Sequence, residues 1–242
     1  MIMRNIIIWI LNLNEEYIKK SNFKFFLNFL FYFANKVRFL LTVINTNKSQ
    51  SLDELFKKVK VWRMEGHSQQ LNDQSHALSR YSKDKKNILE VGFNAGHSSE
   101  TFLLSNDVSN ITSVDIGEHF YYKIGYYFLK KKFSNRINLI VEDSLTALEK
   151  LNQLGNVYDL IFIDGNHSYE YAKKDLLNSR NLSDKNTIIL MDDVNGHDVE
   201  KVWNELIQDK FLEEIEIIEF DLTQNVRYAR AMGVGRFLFD ER

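Results

Sequence analysis

The chain has 242 residues, of which 44% are hydrophobic and 26% charged, the balance of a globular protein with room for one large domain and an extension. It has no cysteine, which excludes disulfides, thiolate zinc sites and cysteine nucleophiles together, and fits a reducing, cytoplasmic setting. It also has no proline, so its turns must rest on Gly, Asn, Asp and Ser.

The net charge of −2 conceals two unlike parts. Residues 1–62 carry 10 Lys/Arg against 4 Asp/Glu, a balance of +6, and 12 of the 32 aromatic residues. Residues 63–242 carry 21 against 29, a balance of −8. The expected organisation is a basic, aromatic-rich helical extension over 1–62 and a main domain over 63–242.

Residues 1–13 are apolar but short and contain Arg4 and Asn5, and no small-residue cleavage site follows them, so a secretory signal is not expected. Residues 23–44 are apolar and aromatic, interrupted by Lys24, Asn28, Asn35, Lys36 and Arg38. A membrane-spanning helix needs about 20 predominantly apolar residues, and neither run supplies them. The expected role is two or three helices packed on the main domain as a lid or homodimer surface. A peripheral membrane contact through residues 1–44 stays open, because cations sit among Phe and Tyr. Ser51 followed by Asp53 and Glu54 reads as an N-cap with an acidic first turn, which predicts a helix over 51–62.

The main domain alternates strand and helix. A polar loop and helix over 66–82 precede a first strand at 87–91, and helix 98–104 leads to strand 110–115. Helix 121–133 leads to strand 137–141, and helix 145–154 to the almost wholly apolar strand 158–163. Helix 169–178 leads to strand 187–191, and helix 199–210 to two closing strands, 215–220 and 236–239. The last two are separated by a stretch holding Gly233 and Gly235 and are expected to pair as an antiparallel edge hairpin. This pattern predicts an α/β fold, a doubly wound, mostly parallel seven-stranded sheet with an N-terminal helical extension.

Such sheets bind ligands outside the carboxyl ends of their strands. The first strand runs into Ile-Leu-Glu-Val-Gly-Phe-Asn-Ala-Gly-His-Ser at 88–98, a Gly-rich turn into a helix start. Asp115 follows the second strand, Glu142, Asp143 and Ser144 the third, Asp164 and His167 the fourth, and Asp192, Asp193 and Asn195 the fifth. A Gly turn with an acid about 20 residues on is how an α/β sheet holds the ribose of a nucleoside cofactor. The loop lacks the G-x-G-x-x-G spacing, and its acidic neighbours would repel a pyrophosphate, which speaks against a nicotinamide dinucleotide. A cationic sulfonium suits an acidic rim.

These motifs resemble the class I S-adenosylmethionine-dependent methyltransferases. Glu90-Val-Gly92-x-x-x-Gly96 looks like that class's first motif, Asp115 its ribose acid, and Asp143-Ser144 its adenine-side position. Phe162-Ile-Asp164-Gly-Asn-His167-Ser-Tyr169 and Leu190-Met-Asp192-Asp193-Val194 look like the catechol O-methyltransferase-like branch, and closest to methyltransferase domain family 24. The resemblance covers about residues 63–240. It implies methyl transfer from S-adenosyl-L-methionine to a hydroxyl of a small molecule such as a sugar, polyketide or phenol. The implied cofactor-binding residues are Glu90, Gly92, Asn94, Gly96, Ser98, Asp115, Asp143, Ser144 and Asp164. It further implies a divalent metal, Mg²⁺ by preference, on Asp164, Asp192 and Asp193. At Asp193 the branch usually carries Asn, and at His167 a lysine thought to help deprotonate the acceptor. His167 and Asp164 are therefore the candidate catalytic pair, with His167 suited to a general base near neutral pH. A metal-free site in which an Asp acts as base stays open. Of the other histidines, His97 is expected to orient the cofactor loop or to be exposed, and His67, His76, His119 and His197 carry no pattern above that of surface residues.

Two further readings stay open. A nucleic-acid methyltransferase is disfavoured by the −8 balance of the main domain, because phosphate backbones want basic grooves. A non-catalytic cofactor-binding module is the other.

Overall fold

The computed structural model describes residues 23–61, 72–107, 109–220 and 230–239. Readings that concern residues 1–22, Trp62 and His67 lie outside them. In chain order the elements are α1 (Phe23–Asn45), α2 (Leu52–Val59), α3 (Asn72–Ser82), β1 (Asn87–Val91), α4 (His97–Ser105), β2 (Asn110–Asp115) and α5 (Tyr121–Phe133). They continue with β3 (Ile137–Val141), α6 (Ser144–Gln153), β4 (Tyr158–Ile163), α7 (Tyr169–Arg180), β5 (Ser183–Met191), α8 (His197–Gln208), β6 (Leu212–Glu219) and β7 (Ala231–Phe237).

The strands form one seven-stranded sheet in the order β3-β2-β1-β4-β5-β7-β6. The first five are parallel, and β7 runs antiparallel to both β5 and β6. Chain order reverses between β1 and β4, so the crevice for a ligand opens there, outside the carboxyl ends of the strands. Apolar residues fill both faces, as a covered parallel sheet requires. Ile88, Ile111, Leu160, Phe162 and Leu190 bury against α2, α3, α4 and α5. Leu89, Val91, Ile161, Ile163, Ile189 and Met191 bury on the other side against α6, α7 and α8.

The closing hairpin is longer than its composition suggests. Gly233 and Gly235, read as loop residues, lie inside β7. The reason is the indole of Trp203 in α8, which packs against this strand at both glycines. A Cβ at Gly233 would stand 2.8 Å from that ring. β7 also slots between β5 and β6 rather than outside them. That brings its first residues beside the end of β5.

The extension is built into the main core. Ser51 accepts from the Glu54 amide and caps α2, and Leu52, Leu55, Phe56 and Val59 are buried in the same cluster as Phe102 and Phe128. The buried carboxylate of Glu100 in α4 accepts the Leu52 amide at 3.0 Å. Hydrophobic packing is thus continuous across the change of composition near residue 62. α1 meets the domain through Phe39, whose ring lies edge-on to Tyr127 at 5.5 Å. Its outer face leaves Tyr32, Leu40 and Ile44 more than half exposed. No described helix is long and apolar enough to cross a membrane.

Candidate active site

A cleft of about 550 Å³ opens at the β1/β4 switch point, within the range of small-ligand sites. Gly92 and Asn94 come to it from the β1 loop, Asp115 from the end of β2, Asp143 and Ser144 from the end of β3, and Asp164 from the end of β4. Five of the predicted cofactor positions besides Asp164 therefore share one wall-lined space. Asp115 knits the loops together: one oxygen accepts the Asn94 amide and the other the Gly117 amide, both at 2.7 Å. Asp143 caps α6 through the Leu145 amide at 3.0 Å and accepts the Tyr171 hydroxyl at 2.8 Å. Both carboxylates line the cleft, and each of their oxygens can accept a second hydrogen bond. This suits a nucleoside, so the residues present fit the adenosyl cofactor that the motifs imply.

The two motif glycines owe their identity first to packing. Gly92 has φ +98°, and a Cβ there would stand 2.0 Å from the Asp164 carbonyl oxygen. The β1 and β4 loops can close on each other only with glycine at this position. Gly96, with φ +90°, turns the chain into α4 under the Phe93 ring, and it does not line the cleft. A third close approach was not legible in the sequence: Gly125 of α5 leaves room for the Ala95 carbonyl, which would stand 2.0 Å from a Cβ.

Glu90 lies beneath the cleft rather than in its wall. It is fully buried, and its carboxyl is held by the hydroxyls of Ser98, of Ser99 at 2.5 Å and of Ser113 at 2.6 Å. Burial pushes its pKa up to about 7, against the lowering effect of the three hydroxyls. Ser98, a predicted cofactor residue, thus serves Glu90. His97 leaves the cleft altogether: its Nε2 meets Asp53 of α2 at 3.2 Å and its ring packs on Phe56.

Next to the cleft, Asp164, His167, Asp192 and Asp193 lie together at the ends of β4 and β5. His167 Nε2 lies 3.4 Å from Asp164 Oδ1, and Nδ1 lies 3.3 Å from Asp193 Oδ2. Nε2 is buried and forms no well-aligned hydrogen bond. The Asp164 carboxylate, assisted by Asp193 and Asp192 and opposed by burial, raises the His167 pKa. Asp192 is fully buried; burial first and the Asp164 charge second push its pKa well up, while Arg230 pulls the other way. Burial would lower the Arg230 pKa, but the Asp192 and Asp193 charges outweigh it and the net shift is upward.

Two members of this cluster escaped the sequence reading. Gln74 of α3 donates to Asp192 Oδ1 at 3.1 Å. Arg230 donates through Nη2 to Asp192 Oδ2 and through Nε to Asp193 Oδ1 at 2.8 Å. Gln74 lies 118 residues from Asp192 and Arg230 lies 38 away, and nothing in the local pattern of either segment points at β5. The acids predicted to hold a divalent metal do not fit one as they stand, because a guanidinium already spans two of the three. Among the described residues no group of three His, Asp or Glu side chains is arranged to hold a metal ion.

The sheet order, the switch-point cleft and the acids at successive strand ends define the fold of class I S-adenosylmethionine-dependent methyltransferases. Residues 89–194, less than half of the chain, match the family model described as a methyltransferase domain. An Arabidopsis thaliana protein named "Putative caffeoyl-CoA O-methyltransferase" is 34% identical over 100 residues. That match covers 40% of this chain and 43% of the relative, so the likeness spans less than half of either. Among solved structures, the O-methyltransferase TomG from Streptomyces achromogenes, determined with SAM, superposes with a TM-score of 0.61 at 15% identity. The superposition covers 78% of this chain and 90% of TomG. An O-methyltransferase from Bacillus cereus, determined with SAH, gives 0.61 at 13% identity, covering 77% and 89%. At these identities the two structures share the fold with this chain.

Proposed function

We propose that the chain transfers the methyl group of S-adenosylmethionine to a hydroxyl oxygen of a small molecule, with a sugar, polyketide or phenol as the acceptor class. The observation that carries this reading is the juxtaposition of a nucleoside-sized cleft, walled by Asp115 and Asp164, with a histidine held between two carboxylates at the mouth of the same strands. The names of the Arabidopsis thaliana relative and of the two structures described above support the oxygen acceptor.

When bound, the sulfonium supplies an electrophilic methyl and a thioether leaving group. The protein's share is orientation and proton handling. Asp115 would hold the ribose hydroxyls, and Asp164 the amino end of the cofactor. The protein's residues would present the acceptor oxygen to that methyl and take up its proton. The acceptor proton would pass to the imidazole of His167, which stands between the carboxylates of Asp164 and Asp193.

Isothermal titration with S-adenosylmethionine, followed by a methyl-donor assay over a panel of hydroxylated acceptors, tests the reading. Absence of cofactor binding would overturn it. A nucleic-acid acceptor remains the second enzyme reading and predicts salt-dependent RNA or DNA binding, which the acidic main domain disfavours. Cofactor binding without turnover on any acceptor would favour the non-catalytic module instead.

A further inference from the structure

We propose that Arg230 is a built-in cation that takes the place of a divalent metal between the two acids at the end of β5, so that this site works without metal. The inference concerns the chain's own residues and does not depend on which acceptor is methylated.

Every oxygen of the two carboxylates already faces a donor. Asp192 Oδ1 receives Gln74 Nε2 at 3.1 Å, and Asp192 Oδ2 receives Arg230 Nη2. Asp193 Oδ1 receives Arg230 Nε at 2.8 Å, and Asp193 Oδ2 stands 3.3 Å from His167 Nδ1. A hard cation would need several of these oxygens converging on one point at about 2.0–2.6 Å, and it would have to displace the fork that now separates them. The two acids use one edge of a planar guanidinium, a geometry that arginine meets and a lysine ammonium does not.

The placement of Arg230 is set by backbone as well as side chain. Its carbonyl accepts the Phe220 amide at 2.9 Å, and the next residue, Ala231, is tied on both sides. The Ala231 amide donates to Asn195 Oδ1 at 3.2 Å, and its carbonyl accepts the Val194 amide at 3.0 Å. Arg230, one residue before β7, is therefore carried to the end of β5 by the strand that follows it. On the other side, Asp193 adopts φ +52°, in the left-handed region, at the turn where both neighbouring carboxylates reach the one guanidinium. The fully buried Asp192 also needs a cation or a proton, and Arg230 supplies the cation from within the fold.

The test is Mn²⁺ binding to the full chain, read by electron paramagnetic resonance and by titration calorimetry, with folding checked by circular dichroism. The wild type should show no Mn²⁺ site tighter than about 1 mM, and EDTA should change cofactor affinity by less than about twofold. Arg230→Met should gain a Mn²⁺ site at least tenfold tighter, which Asp193→Asn then removes. Arg230→Lys, which keeps the charge, should stay folded and bind Mn²⁺ more weakly than Arg230→Met. A wild-type Mn²⁺ site in the micromolar range that Asp193→Asn abolishes would overturn the proposal. So would a folded Arg230→Met that binds Mn²⁺ no better than wild type. Cofactor affinity measured in the same titrations separates this outcome from failure of the methyltransferase reading.

Discussion

Glu90→Gln isolates the electrostatics of the buried carboxyl beneath the cofactor loop. Glu90 has no exposed surface and titrates near 7, against 4.5 for the ordinary glutamate of an unfolded chain. The difference corresponds to about 3–4 kcal/mol, at about 1.4 kcal/mol per unit. Below pH 4.5 both states hold the proton and the group is neutral to stability. Between 4.5 and 7 the unfolded chain has ionised while the folded protein still carries the proton, so stability falls as pH rises. Above 7 the loss is complete. Glutamine cannot ionise and keeps the shape, so the variant lacks this slope. Other buried acids such as Asp175 and Asp192 titrate in both proteins and cancel in the comparison. Urea unfolding of both proteins followed by tryptophan fluorescence at pH 5 and pH 8 should show the difference in unfolding free energy shifting by about 2–3 kcal/mol in favour of the glutamine variant at the higher pH. If the difference is the same at both pH values, Glu90 is ionised throughout, and burial does not outweigh the three serine hydroxyls.

The other expectations concern the cleft and its neighbours. Asp115→Ala removes the carboxylate that joins the two loops and lines the cleft; loss of one to two charge-assisted hydrogen bonds should weaken S-adenosylmethionine binding by about 10- to 100-fold in calorimetry, and unchanged affinity would refute the cofactor assignment. His167→Gln should lower kcat by about 10²–10⁴-fold with little change in cofactor affinity, as expected for loss of a general base; an unchanged kcat would move the proton to another group. Gly92→Ala would place a methyl 2.0 Å from the Asp164 carbonyl oxygen at a φ unfavourable to alanine, so the melting temperature should drop by several degrees, about the effect of 1–3 kcal/mol in a chain of this size. A melting curve matching wild type would show that the β1 and β4 loops can separate without cost.

What the sequence by itself determined was the frame. Apolar runs of five or six residues, each ending in an acid or a small polar residue, fix strands whose carboxyl ends share one rim, because parallel strands joined by helices must all point the same way. That is why Asp115, Asp143, Asp164 and Asp192 could be gathered from spacing alone, and why β1 to β4 lie where the alternation put them. The same logic runs out where partners come from elements without a periodic signature. Glu90 shows the polarity of a cleft residue in the sequence, yet three hydroxyls from α4 and β2 draw it under the loop. Gly92 reads as a cofactor glycine, yet the Asp164 carbonyl is what leaves no room for a side chain. Arg230 stands beside the β5 acids only because β7 turns back antiparallel and inserts next to β5. Local patterning sets where each carboxylate ends up along its strand. The cation that answers it depends on the order of the strands across the sheet, and that is settled only when the two faces of the core close.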